Sequence, residues 1–219
     1  MDLSYIVRIV PALLRGAGVT LALFALVFPL SLPLGFLVTL CANCRFKPVK
    51  WLAEAYIFVM RGTPLMLQLF FFYYGLPFLP GIGQYLRLSS FAAAALSFTL
   101  DYAAYFAEIF RGGLLSIDRG QYEVSHVLGL TSFQTMTRII IPQMIRVTLP
   151  SIGNEAITLV KDTALVASIA LPELLHYAKG IVTRDFTTTP FIVAAFIYLL
   201  ITFVGTVLFK FAERKTNYE

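Results

Sequence analysis

The sequence predicts an all-α integral membrane protein, with five transmembrane helices, an N-terminal interfacial helix and one long cytoplasmic loop. Three observations support this. The chain is 58% hydrophobic and only 13% charged over 219 residues, with mean hydropathy +0.80, whereas soluble domains are nearer half apolar and a quarter charged. Its apolar stretches have the length a bilayer requires, roughly 20 residues. One long polar interruption, Arg111 to Pro150, must meet water.

Taken in order, Met1 to Gly18 places Ile6, Ile9, Val10, Leu13 and Leu14 on one helical face, with Arg8 and Arg15 on another. That is the pattern of a helix lying in the membrane interface. The Met-Asp start and the lack of a small-residue cleavage site argue against a removed signal peptide. The first span runs from about Val19 to Ala42, bent by Pro29 and Pro33, and ends at the cations Arg45, Lys47 and Lys50. A second, about Trp51 to Tyr74, is interrupted by Arg61-Gly62-Thr63-Pro64, where proline removes a backbone donor and should kink the helix, freeing carbonyls to line a cavity. A turn-rich loop, Leu76 to Ser89, leads to a third span, about Ser90 to Phe110, containing Asp101.

The polar centre reads as two short helices. Asp118-x-x-Gln121 and Thr131-x-x-Gln134 have the spacing of N-terminal capping boxes, and Gly129 falls where a glycine ends a helix. At about ten residues, or roughly 15 Å each, neither could cross a bilayer. The fourth span, about Val147 to Leu171, nearly escapes hydropathy because it holds Glu155, Lys161 and Asp162. A loop from Pro172 to Thr189 precedes the fifth, Pro190 to Phe211.

Five spans put the termini on opposite sides, and the cations choose the orientation. With the N-terminus outside, the cytoplasm receives Arg45, Lys47, Lys50, Arg111, Arg119, Arg138, Arg146, Lys210, Arg214 and Lys215. The outside receives Arg8, Arg15, Arg87, Lys179 and Arg184, half as many, as the positive-inside rule expects. The same scattering of charge argues against nucleic acid as the reason for the net charge of +5. Cys41 and Cys44 form a C-x-x-C with no second pair and no βαβ context, and read as incidental thiols.

Charges within spans are costly, so each needs a partner or water. Arg61 and Asp101 fall at similar depths when counted from the cytoplasmic edges, roughly 15 Å in, and are expected to pair. Ser151, Glu155, Thr158 and Asp162 recur at i, i+4, i+7 and i+11, one helical stripe that cannot face lipid. Lys161 lies about 100° around from Asp162 and should neutralise one carboxylate. The remaining surplus of negative charge favours a cationic solute, unless Glu155 is protonated or bonded to a neighbouring helix.

These residues resemble the membrane-spanning permease subunits of ATP-binding-cassette importers for polar amino acids. Glu123-Val124-Ser125, then Gly129, then Ile139-x-Ile141-Pro142, is similar to the family's cytoplasmic motif, with Val124 and Ser125 in place of two alanines. Arg61-Gly62-Thr63-Pro64 with Gln68, Ala107 to Gly113, Gly120-Gln121, and Asn154 through Lys161-Asp162-Thr163 resemble signatures of the polar amino-acid branch. The resemblance implies one permease domain over 1–219 with the type I importer fold. Its loop 111–146 docks on a separate ATPase through Glu123, Gly129, Ile139 and Pro142.

It further implies a dimer of permease subunits with two ATPases and an extracytoplasmic solute-binding protein, in a prokaryotic cytoplasmic membrane. Leu76 to Ser89 and Pro172 to Thr189, the latter with His176, Tyr177 and Arg184, are the expected docking surface for that protein. No phosphate-binding G-x-x-x-x-G-K-[ST] loop occurs, so ATP and its magnesium belong to the partner and no cofactor to this chain. The chain also has no Ser/His/Asp set, metal-ligand cluster or H-E-x-x-H, and is not expected to be an enzyme. The expected solute is arginine, lysine or histidine. Glu155 and Asp162 would face its side-chain cation, Lys161, Arg61 or free backbone donors its carboxylate, and Asn154 and Ser151 would add neutral bonds. A glutamine-type permease with a structural Glu155 is the alternative, and an ATP-independent channel a more distant one.

Overall fold

The computed structural model describes residues 3–217, so Met1 and Asp2 lie outside it. Its described residues form helices and turns without strands. α1 (Leu3–Ala42) is followed by α2 (Lys47–Gly62), α3 (Leu65–Phe70), α4 (Ser90–Ser116), α5 (Arg119–Val127), α6 (Ser132–Thr135), α7 (Ile141–Asp162), α8 (Leu174–Asp185) and α9 (Thr189–Asn217). By length and apolarity alone α1 and α9 can cross a membrane, and α2 with α3 makes a third if the bent pair is one span. α4, with the buried Asp101, and α7, with the half-buried Glu155 and Asp162, do not pass that test.

The expected interfacial helix is not a separate element among the described residues. α1 is one helix of 40 residues with Pro11, Pro29 and Pro33 inside it. Ile9 and Leu13, expected on a face lying in the membrane interface, are covered instead, together with Ala17, by Leu174, Ala178 and Ile181 of α8 and Ala194 of α9. α8 itself corrects the loop expected between the fourth and fifth spans. Its apolar residues are only one turn apart on one face, and its cap is a glutamate, Glu173, whose carboxylate accepts from the backbone N–H of Leu175 (2.8 Å) and His176 (2.6 Å) and from the hydroxyl of Tyr198 (2.7 Å).

The core runs along the contact of α1 with α4 and continues to α7, through Leu23, Val27, Phe98, Tyr102, Phe106, Met144 and Leu159. Gly35 lets α1 and α4 meet: a Cβ there would lie 2.7 Å from the Cβ of Phe106 and 2.8 Å from the carbonyl of Ala103. One turn on, the Thr39 hydroxyl donates across the interface to Ala107 O at 3.0 Å.

The second span is broken more sharply than a kink. α2 and α3 meet at 103° across Thr63 and Pro64. Beyond α3 the chain passes into a π-helical turn, Phe71–Gly75, and a 3-10 turn, Leu76–Phe78. A second π turn, Met136–Ile140, joins α6 to α7. Each π turn precedes a proline by two residues, Pro77 and Pro142. Proline cannot donate to the carbonyl four residues back, and its ring crowds that carbonyl, so a wider turn accommodates both.

The polar centre therefore differs from two independent helices. α5 is separate: Asp118 caps it by accepting from Gly120 N, while Gln121 does not complete a box but accepts from Gln143 of α7 at 3.2 Å. Gly129 ends it at φ +74°, with Leu130 N bonded to Ser125 O and Gly129 N to His126 O, both at 3.0 Å. This is the paired closure that a left-handed residue permits. Thr131 and Gln134 do form the reciprocal capping box. The helix they start, however, runs on through the π turn into α7 rather than stopping after ten residues.

Candidate functional site

The break at Pro64 sets up the site. Pro64 has no N–H, so Met60 O loses its helical partner. The side-chain amide of Gln68 replaces it, with Nε2 at 2.8 Å from Met60 O, 3.3 Å from Thr63 O and 3.1 Å from the Thr63 hydroxyl. The same nitrogen donates to Asp101 Oδ1 at 2.9 Å. Asp101, 4% exposed, thus anchors the break to α4.

This overturns the expected pairing of Arg61 with Asp101. Arg61 Nη1 lies 3.5 Å from Glu108 Oε2, two turns further along α4, and its guanidinium sits 5.4 Å from the Tyr105 ring centre. Arg111 holds the same carboxylate from the other side through two bonds, Nε to Oε1 at 2.9 Å and Nη2 to Oε2 at 2.7 Å.

A cavity of about 420 Å³ lies between the break, α4 and α7. It is lined by Arg61, Gly62, Thr63, Pro64, Leu65, Asp101, Tyr102, Tyr105, Glu155, Thr158 and Asp162. Three sequence-derived candidates therefore converge: Arg61, Glu155 and Asp162. Tyr102 fixes Asp162 by donating its hydroxyl to Oδ2 at 2.7 Å. The cavity has one guanidinium against three carboxylates, with two phenols, Tyr102 and Tyr105, beside them. Such a lining suits a small solute that carries a cation, hydrogen-bond donors and one carboxylate.

Ser151, Asn154 and Lys161 do not line the cavity. All three are exposed on the adjoining flank of α7. Lys161 makes no ion pair among the described residues, against the expectation that it would neutralise a carboxylate: one residue is 100° of helix, enough to carry it out of the cavity that Asp162 faces. Thr158, on the stripe read from the sequence, also lines the cavity; the residues that sequence reasoning gave no role are Tyr102 and Tyr105 at the cavity, and Glu108 beside it. Asp101, Tyr105 and Glu108 recur at i, i+4 and i+7, which was a readable signal.

At the other end, α5 with its C-cap Leu128 and α6 expose apolar side chains, with Val124 60%, Val127 86%, Leu128 70% and Phe133 77% exposed. Glu123 and Pro142 are exposed and Ile139 half-buried around it. Apolar side chains bared this way mark a contact surface for another protein.

Comparison with known proteins agrees with the arrangement. The family described as "Binding-protein-dependent transport system inner membrane component" matches residues 31–218. The chain is similar to the arginine transport system permease protein ArtQ of Bacillus subtilis (strain 168), 36% identical over 98% of this chain and 97% of the relative. It is similar also to the L-cystine transport system permease protein TcyB of the same organism, 34% identical over 94% of this chain and 87% of the relative. Among solved structures, the crystal structure of an amino acid ABC transporter with histidines superposes with a TM-score of 0.89 at 33% identity, covering 98% of this chain and 99% of that one.

Proposed function

We infer the function from one premise: this chain belongs to the family of binding-protein-dependent transport system inner membrane components, as the permease subunit of an amino-acid importer driven by separate ATP-binding-cassette ATPases. Its fold is the type I importer permease fold, and its place is the inner membrane of a prokaryote.

The finer proposal is that the solute is a basic L-amino acid. The observation that carries it is the charge of the deep cavity, three carboxylates facing one guanidinium. Glu155 pairs with the side-chain cation, supported by Asp162, and Arg61 with backbone N–H donors near Pro64 takes the α-carboxylate. The arginine relative and the solved structure with histidines support this reading. Lys161, Asn154 and Ser151, exposed on the flank of α7, face a second, identical permease subunit. The N-terminus lies outside, so Glu123, Gly129, Ile139 and Pro142 meet a cytoplasmic ATPase, which supplies ATP and magnesium. A second such ATPase serves the second permease subunit. The Leu76 to Ser89 loop and α8 meet the solute-binding protein.

The cystine relative supports a second reading, a permease for neutral or glutamine-type amino acids in which Glu155 is structural. Uptake by the assembled complex in proteoliposomes separates the two. On the basic reading, Glu155→Gln weakens arginine affinity about 10-fold or more and abolishes its preference over glutamine. An unchanged preference removes the charge argument.

A further inference from the structure

A second cavity, of about 640 Å³, lies on the far side of Arg61, lined by the end of α1, Asn43 just past it, and residues of α2 and α4 that include Lys50, Glu54, Glu108 and Arg111. Arg61 and Gly62 line both cavities. The two helices that frame them present matched stripes. On α2, Lys50, Glu54, Ile57 and Arg61 recur at i, i+4, i+7 and i+11; on α4, Asp101, Tyr105 and Glu108 recur at i, i+4 and i+7. One polar groove therefore runs from the deep cavity to the end of the molecule that carries α5 and α6. It is crossed at one level by the contact of Arg61 with Glu108.

We propose that this groove is the route by which the solute leaves the deep cavity, and that the Arg61–Glu108 pair is its inner gate. The proposal rests on the reading of the deep cavity as the solute site. Its chemistry follows from the charges. An amino acid carrying both a carboxylate and a cation can replace the pair member by member, its carboxylate on Arg61 and its cation on Glu108, so the gate opens without leaving either charge unpaired. Below the gate pair, Lys50 and Arg111 outnumber Glu54. That surplus favours the carboxylate and disfavours return of the cationic end into the deep cavity. Arg111 holds Glu108 when Arg61 lets go, through the paired bonds already present. Glu108 is thus a positioning residue for release.

The test uses the assembled complex in inside-out vesicles without ATP, with Cys41→Ser and Cys44→Ser removing native thiols and Thr158→Cys reporting from the deep cavity. The probe is a membrane-impermeant trimethylammonium thiosulfonate, added on the cytoplasmic side. With Glu108 present, labelling is slow; Glu108→Gln accelerates it about 10-fold, and Glu54→Gln, below the gate, does not. Because Glu108→Gln makes the lower cavity more positive, simple electrostatics would slow a cationic probe, so acceleration reports opening. Fast labelling with Glu108 in place, no acceleration by Glu108→Gln, or equal acceleration by Glu54→Gln overturns the gate. The labelling rate is independent of which solute the deep cavity takes, so arginine competition at Glu155→Gln fails or succeeds separately.

Discussion

The amide nitrogen of Gln68 stands between Asp101 Oδ1 at 2.9 Å and Met60 O at 2.8 Å. One side chain thus completes a helix that proline has cut and ties the cut end to a neighbouring helix. Gln68→Leu keeps the volume and removes every bond, leaving a buried carboxylate and a carbonyl unsatisfied. The expected loss is about 2 to 3 kcal/mol, read as a lower midpoint in denaturant titration of the detergent-solubilised complex. Gln68→Glu should be at least as damaging at neutral pH, since it sets two carboxylates against each other.

Gly129 has φ +74°, and a Cβ placed there meets nothing within 4 Å. Any effect of Gly129→Ala is therefore one of backbone conformation, about 1 to 2 kcal/mol for a left-handed residue with a side chain. Asn, which visits that region readily, should cost less. Solute transported per ATP hydrolysed, measured in proteoliposomes, is expected to fall in the order Gly, Asn, Ala. Gly129→Asp should uncouple hydrolysis from uptake while the protein remains in the membrane. Normal uptake by the aspartate variant would remove the coupling role.

At Gly35 the argument is one of space. A methyl group would sit 2.7 Å from the Cβ of Phe106, and that contact cannot relax without moving α1 from α4. Gly35→Ala should cost about 1 to 3 kcal/mol as overpacking, and Gly35→Leu should prevent assembly. Thermal unfolding of the alanine variant and size-exclusion recovery of the leucine variant check the two.

Asp185, at the end of α8, is held at about 2, well below the usual carboxylate range, by bonds from Arg184 first and then from the Tyr5 hydroxyl at 2.7 Å. A depressed carboxylate contributes its tie when ionised, so the contribution is complete above about pH 4 and is lost as pH falls through about 2. Hydrogen exchange in α8 should therefore be flat from neutral pH to about 4, after correction for intrinsic rates, and its protection should decline below that. Asp185→Asn should lower protection throughout and abolish the transition.

Much of this fold could be read in the chain because the reasons were local. Apolar runs of membrane length marked α1 and α9, Thr131 and Gln134 marked a helix start, Gly129 a helix end, and Gly62 with Pro64 a break. The stripe of Glu155, Thr158 and Asp162 was legible because an ionisable face on an apolar helix excludes lipid. What could not be read depended on where helices point after they break. Counting depth along straight helices put Arg61 beside Asp101, but a guanidinium on a long stem reaches past its own level to Glu108. Asp101 found a neutral partner, Gln68, whose position follows only from the 103° turn. α8 escaped because its apolar face is short and is matched by α1, far away in sequence.

The π turn at Met136–Ile140 means that helical chain continues from Ser132 to Asp162. Over the 23 residues between Ser132 and Glu155 that is about 35 Å of helical rise. Taken as a stiff beam pivoting near its Ser132 end, a tilt of 5° would displace Glu155 by roughly 3 Å, the length of a hydrogen bond. Leverage of this kind needs no rearrangement inside the rod. A small angular input at one end becomes, at the other, the difference between a carboxylate in reach of its cation and one that is not.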